Sequence, residues 1–169
     1  MGVKAQLSVE EYLHMNFDGL DCDYVDGQIV ERAMPDNPHS GVQDRLIEIL
    51  HDLKKKHPFH VRPELRQKVT ESRYRVTDIA VFLGHRPTER YPATPPYIAI
   101  EILSPDDRYS ETVKKLGEYY QWGVPHVWLI DPARRRFAVY DSSGLREVAE
   151  LRLPDRGVIL TAADVFESI

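Results

Sequence analysis

Two acidic residues interrupt apolar runs in the middle of this chain, and a lysine follows on the next helical stretch. Asp78 stands within Val76-Thr77-Asp78-Ile79-Ala80-Val81-Phe82, and Glu101 within Tyr97-Ile98-Ala99-Ile100-Glu101-Ile102-Leu103. A carboxylate in such a run has two explanations. It faces water on a sheet with one wet side, where strands alternate apolar and polar residues. Otherwise it is held inside for a purpose, because an unpaired buried charge is costly. Two carboxylates at neighbouring strand ends, with Lys115 beside them, offer hard oxygen ligands to a divalent cation such as Mg²⁺, which Mn²⁺ can replace. Such a cation polarises a phosphodiester and helps to activate water. The trio read together predicts metal-assisted phosphodiester hydrolysis, whereas each carboxylate read alone suits an outward-facing position.

The chemistry needs two strands and a helix to bring these residues together, and the chain supplies them. Ser8-Val9-Glu10-Glu11 matches a capping box and predicts a short helix from Val9 to about Asn16. Asp23 to Glu31 reads as two strands around an Asp26-Gly27 turn. Val42, Leu46, Ile49, Leu50 and Leu53 recur at helical spacing and end near Lys56, before Pro58. Strands follow at about Phe59–Thr70, Arg75–Leu83 and Tyr97–Leu103. The four prolines of Gly84–Pro96 predict an irregular loop. A helix over Ser110–Trp122 stops at Gly123, with Val113, Leu116, Tyr119 and Tyr120 as its buried stripe. On that helix Lys115 lies at the stripe's edge beside Tyr119, and Lys114 points to solvent.

Val127-Trp128-Leu129-Ile130 then reads as a buried strand. A hairpin over Arg136–Tyr140 and Leu145–Leu151 and a last helix opened by Thr161 complete the chain. The connection from the Glu101 strand through a helix to Val127 predicts a βαβ crossover and a mixed sheet flanked by helices, an α/β (α+β) fold.

Length and composition set the outer limits. The 169 residues suit one domain over the whole chain, 1–169. One cysteine, Cys22, excludes an internal disulfide or a cysteine zinc cluster and fits a reducing cytoplasm. No apolar run approaches the roughly 20 residues of a membrane span, and the N-terminus carries no signal-peptide stretch. A net charge of −5 argues against avid nucleic-acid binding, despite the short clusters Lys54-Lys55-Lys56-His57 and Arg134-Arg135-Arg136.

From Val76 to Tyr140 the ordered pieces are specific enough to compare. They are Thr77-Asp78-Ile79-Ala80-Val81, Pro95-Pro96-Tyr97-Ile98-Ala99-Ile100-Glu101-Ile102-Leu103-Ser104-Pro105, Lys115-Leu116-Gly117-Glu118-Tyr119, Gly123-Val124 and Trp128-Leu129-Ile130-Asp131-Pro132. In this order they resemble the Uma-type family of restriction-endonuclease-like proteins, a branch of the PD-(D/E)XK nuclease-like superfamily. Weaker similarity reaches back through Asp26-Gly27 and His39.

The resemblance implies that Asp78 and Glu101 bind metal, with the backbone carbonyl of Ile102 as a further ligand, and that Lys115 completes the catalytic set. The lysine of the superfamily's name would fall at Leu103 here, so that role moves to Lys115 on the following helix. Thr77 stands where the family usually has proline. His39, Tyr119 and Ser104 become candidates for supporting or substrate contacts. Asp23 stands where the family carries glutamate, one methylene longer, and Glu64 lies on the strand before Asp78.

The reading that follows is a Mg²⁺-dependent endonuclease that acts on DNA more than RNA and binds it weakly, with a homodimer as a candidate working form. The alternatives are a non-catalytic binding or assembly module on the same fold, or a hydrolase of a small phosphorylated molecule.

Overall fold

The computed structural model of the protein describes residues 6–167 and 169. In chain order its elements are α1 (Val9–His14), β1 (Asp23–Val25), β2 (Gln28–Val30), α2 (Asn37–Leu53), β3 (Phe59–Thr70), β4 (Arg73–Leu83) and β5 (Ile98–Ile102). They continue with α3 (Tyr109–Trp122), β6 (His126–Asp131), β7 (Arg136–Asp141), β8 (Gly144–Val148), β9 (Glu150–Leu153), β10 (Val158–Thr161) and α4 (Ala162–Phe166).

The sheet is organised around β4, which is buried without a break from Tyr74 to Phe82. Along one edge, β3 pairs with β4 for almost its whole length. The other edge is divided. β1 pairs with Arg73 and Tyr74, while β5 pairs with Ile79, Ala80 and Val81, both antiparallel. Residues 75–78 lie in the fork between β1 and β5, with no strand partner on that side among the described residues. From β5 the sheet continues through β6, β7 and β8, and β6 runs parallel to β5 across the α3 crossover.

The two larger apolar clusters lie on the two sides of this sheet, and a smaller one gathers Tyr12, Tyr24 and Tyr74. Val42, Leu46 and Leu50 of α2 pack with Ile79, Val81, Ile98, Ile100, Trp128 and Ile130. Leu116 and Tyr119 of α3 pack with Ala99, Val127, Leu129 and Val69. Odd-numbered residues of β4 change sides at Asp78. Ile79 and Val81 join the α2 core, whereas Arg75 and Thr77 bond to Glu118 and Tyr119 of α3. β3 changes sides at the same level, from Phe59 and Val61 to Val69. Glu64, between the pairs Pro63–Ile79 and Leu65–Thr77, has φ 47°, a left-handed backbone that interrupts the alternation. Pro63, which has no N–H to donate, is tolerated because β3 pairs with β4 alone among the described residues.

The helix ends follow their chemistry. The Ser8–Glu11 capping box opens α1, and Asp36 caps α2 with Pro38 in its first turn. Gly123, at φ 102°, closes α3 in a conformation other residues resist. Gly117 lets α3 settle close to β7, because a Cβ there would lie 3.0 Å from the Tyr140 hydroxyl oxygen.

Two expectations from the sequence need correction. The expected strand Leu145–Leu151 is two strands separated at Ala149, and β9 pairs with β10 in a second, two-stranded sheet. Leu151, Leu153, Val158 and Leu160 of that sheet close the α2-side core, so the break redirects apolar residues inward. The buried stripe of α3 also differs. Tyr120 is 41% exposed and Val113 half-buried, while Lys115, Gly117 and Glu118 are buried. Ion pairs make that possible, as the site shows.

Candidate active site

The fork in the sheet creates an immediate problem of unpaired backbone. Val76 has its N–H and C=O at this gap, and side chains take the place of a strand. The Val76 N–H donates to Asp23 Oδ1 at 2.7 Å, and Lys115 Nζ donates to the Val76 carbonyl at 2.8 Å. Buried backbone groups must find partners, so Asp23 and Lys115 are drawn to one point from β1 and α3.

The β4–β5 register then sets the two carboxylates together. Ile79 faces Ile100 and Ala80 faces Ala99, so one further step places Asp78 opposite Glu101. Both are buried, at 4% and 7% exposure, which rules out the solvent-facing explanation for each. Asp78 Oδ2 accepts the Ile102 N–H at 2.7 Å and has His39 Nε2 at 3.5 Å. Asp78 Oδ1 accepts from Arg32 Nη2 at 2.6 Å. Glu101 is held at both oxygens by one helix. Lys115 Nζ donates to Oε2 at 2.9 Å, and the Tyr119 hydroxyl donates to Oε1 at 2.8 Å. Lysine and tyrosine four residues apart share a helix face.

Around this centre lies a shell the sequence did not disclose. Arg75 donates to both Glu118 oxygens at 2.8 Å and to Asp23 at 3.0 Å, all three side chains being buried. Thr77 donates to Gln67, and its hydroxyl lies 3.0 Å from that of Tyr119. Arg32 also binds Glu64 at 2.7 Å, and Gln43 donates to Glu64 and to the Asp78 carbonyl. Arg75 and Glu118 left a trace, being charges at inward positions of a strand and a helix. Nothing in Glu31-Arg32-Ala33 distinguishes Arg32.

Asp78, Glu101, Lys115, Ile102, Asp23, Glu64, His39 and Ser104 all line one cavity of about 720 Å³. Tyr119 sits behind it and reaches the site through Glu101. Ser104 is buried, its N–H donating to Asp107, which fixes the turn after β5. Lys115 pairs with Glu101 rather than with Glu111, and Lys114 is exposed. The clusters Lys54–Lys56 and Arg134–Arg136 lie outside the cavity, in exposed positions.

Charge and burial set the protonation states. Burial pushes Glu101 up to about 7, with the Asp78 charge adding to it and Lys115 opposing it. Burial would also raise Asp78, but His39, Lys115 and Arg32 hold it below its ordinary value. Burial would lower Lys115, yet the charges of Asp23 and Glu101 raise it, so the ammonium persists. Burial works against charging His39 as well, and Asp78 outweighs it, raising the imidazole. His39 Nδ1 is buried without a hydrogen-bond partner among the described residues.

Among the described residues, no three of His, Cys, Asp or Glu form a ready metal cage. A Mg²⁺-type ion does not require one. It takes one or two carboxylates and keeps several waters. Each carboxylate oxygen here has one close partner and retains lone-pair capacity. The cavity wall carries eight carboxylates (Asp23, Glu31, Glu64, Asp78, Glu101, Asp106, Asp107 and Glu111) against Arg32, Arg75, Arg108 and Lys115. Hard donors in a surplus of negative charge fit a divalent cation.

A mixed sheet with facing carboxylates at a fork, and a lysine delivered by the crossover helix, defines a restriction-endonuclease-like α/β protein. A crystal structure described as "a putative nuclease belonging to DUF820", from Anabaena variabilis, has the same fold, with a TM-score of 0.84 at 23% identity, covering 95% of this chain and 98% of that one. The chain belongs to the Uma2 family, described as "Putative restriction endonuclease", whose model matches residues 9–169. A search of curated proteins finds no match. The family and fold class read from the sequence are those found.

Two outcomes follow from this geometry. Lys115→Met strands the Glu101 charge and the Val76 carbonyl, so urea denaturation should show a loss of about 3–5 kcal/mol, while Lys114→Met should stay within about 0.5 kcal/mol. Glu101 binds its proton more tightly folded, at about 7, than at its ordinary 4.5. Its contribution to stability is therefore most favourable below about 4.5, falls as pH rises towards 7, and levels off above. Melting temperatures from pH 5 to 8 should shift in favour of Glu101→Gln relative to wild type. A difference independent of pH would show that Glu101 stays ionised throughout.

Proposed function

We propose that this protein is a divalent-cation-dependent phosphodiesterase of nuclease type, with nucleic acid as substrate and DNA ahead of RNA. The observation that carries the reading is the pair Asp78 and Glu101, buried opposite each other across β4 and β5, with Lys115 bonded to Glu101. Membership of the family described as "Putative restriction endonuclease" supports the substrate class. Mg²⁺, or Mn²⁺ in its place, would be held by Asp78 and Glu101 with the Ile102 carbonyl, and would supply Lewis-acid polarisation of the phosphate and a more acidic water.

The chain's own groups do the rest. The Ile102 N–H and His39 fix the orientation of Asp78, while Tyr119 and Lys115 grip Glu101 from one helix. An ammonium has three N–H bonds, and Lys115 uses two, on Val76 and Glu101. The third is available to a phosphate oxygen or to the attacking water, where a fixed positive charge favours the transition state. The acidic cavity wall disfavours tight binding of a polyanion, which agrees with the net charge of −5. No helix among the described residues is long and apolar enough to cross a membrane.

A second reading, a binding or assembly module without catalysis, is favoured by one observation. Arg32 already occupies Asp78 Oδ1. A nicking assay on supercoiled plasmid and on labelled RNA separates the two. With Mg²⁺ or Mn²⁺ in excess, wild type should nick DNA slowly, lose activity as salt rises, and act less on RNA. Glu101→Gln should abolish cleavage while remaining folded by circular dichroism. Identical behaviour of wild type and Glu101→Gln on both substrates with both metals would establish the module instead.

A further inference from the structure

We propose that Arg32 is a resident competitor for the divalent cation, so that the metal takes Asp78 only by displacing its guanidinium. This inference rests on the metal-site reading above. The two oxygens of Asp78 are held differently. Oδ2 is tied at 2.7 Å to the Ile102 N–H, a backbone group that β5 keeps in place. Oδ1 is bonded to Arg32 at 2.6 Å. The second guanidinium nitrogen reaches Glu64 at 2.7 Å, and the side chain is 11% exposed, so the cation is sunk between two carboxylates.

Arg32 lies on residues 31–36, which join β2 to α2 without helix or strand. Glu31, Arg32, Ala33 and Pro35 of that segment form part of the cavity wall. A long, flexible side chain on an irregular segment can withdraw at little structural cost, whereas the Ile102 amide cannot. A divalent cation arriving at Oδ1 meets a guanidinium in bonding contact with the same atom, and two cations at that range repel strongly where water is scarce. Each therefore weakens the other's hold on Asp78, and the coupling is reciprocal. The guanidinium keeps Asp78 compensated while the metal is absent. Its withdrawal on metal arrival also shifts one wall of the cavity.

Calorimetric titration of the full chain with Mn²⁺ tests this without reference to cleavage. Wild type should bind through a site that Asp78→Ala removes, and Arg32→Gln should bind roughly tenfold more tightly, a coupling of ordinary size. Arg32→Lys keeps the positive charge but cannot bridge Asp78 and Glu64 with a planar fork, and should tighten binding by a smaller factor. It is the milder change, and it decides the matter if Arg32→Gln does not fold. Unchanged or weaker Mn²⁺ binding in the folded variants, with wild-type binding intact, overturns the competition and leaves the metal site standing. No Mn²⁺ uptake by wild type or by either variant overturns the metal site and the competition together.

Discussion

Compensation of buried charge is the constraint on which the rest of this structure depends. Asp23, Asp78, Glu101 and Glu118 are buried, and each is answered by Arg32, Arg75 or Lys115 at hydrogen-bond distance. Ion pairs taken out of water recover their desolvation only with good geometry and further hydrogen bonds. That condition explains why so many elements converge here. β1 supplies Asp23, β4 supplies Arg75 and Asp78, β5 supplies Glu101, and α3 supplies Lys115, Glu118 and Tyr119. Replacing the network by apolar residues would suit stability alone. The network instead lines the cavity, where its charges face the space a ligand could enter.

Both side-chain partners of Glu101 come from one helix. Where the superfamily's pattern puts a lysine two residues beyond the acidic residue, this chain has Leu103, half-buried against the α3-side core. Lys115 reaches the same neighbourhood from α3, and Tyr119, one turn later, takes the other oxygen of Glu101. The carboxylate is thus clamped by two residues of a single rigid element. Gly117, on the turn between them, is the contact that sets how closely that element sits on β7.

Much of the fold was legible because its elements carry local signals. The capping boxes, the Asp26-Gly27 turn, the Val42–Leu46–Leu50 stripe and the Gly123 stop are all written in neighbouring residues. Asp78, Glu101 and Lys115 stood out for the same reason, as polar residues breaking apolar patterns. What stayed hidden depends on pairing between distant segments. The partner of Glu118 is Arg75, 43 residues earlier, and no local pattern joins the two. Arg32 acts across 46 residues of chain and has no local signature. The left-handed Glu64 and the division at Ala149 are set by tertiary packing, which overrides strand propensity.

The Val76 peptide has a dynamic consequence. Its N–H and C=O are joined to Asp23 and Lys115 instead of to a neighbouring strand. Amides outside a ladder ordinarily exchange with solvent through small local openings. This one opens only when the buried Asp23 carboxylate, itself paired with Arg75, releases it. This protected peptide and the facing carboxylates therefore share one buried network. Freedom to move is left to the irregular 31–36 segment of the cavity wall, while the two carboxylates are tied to a strand amide and a helix.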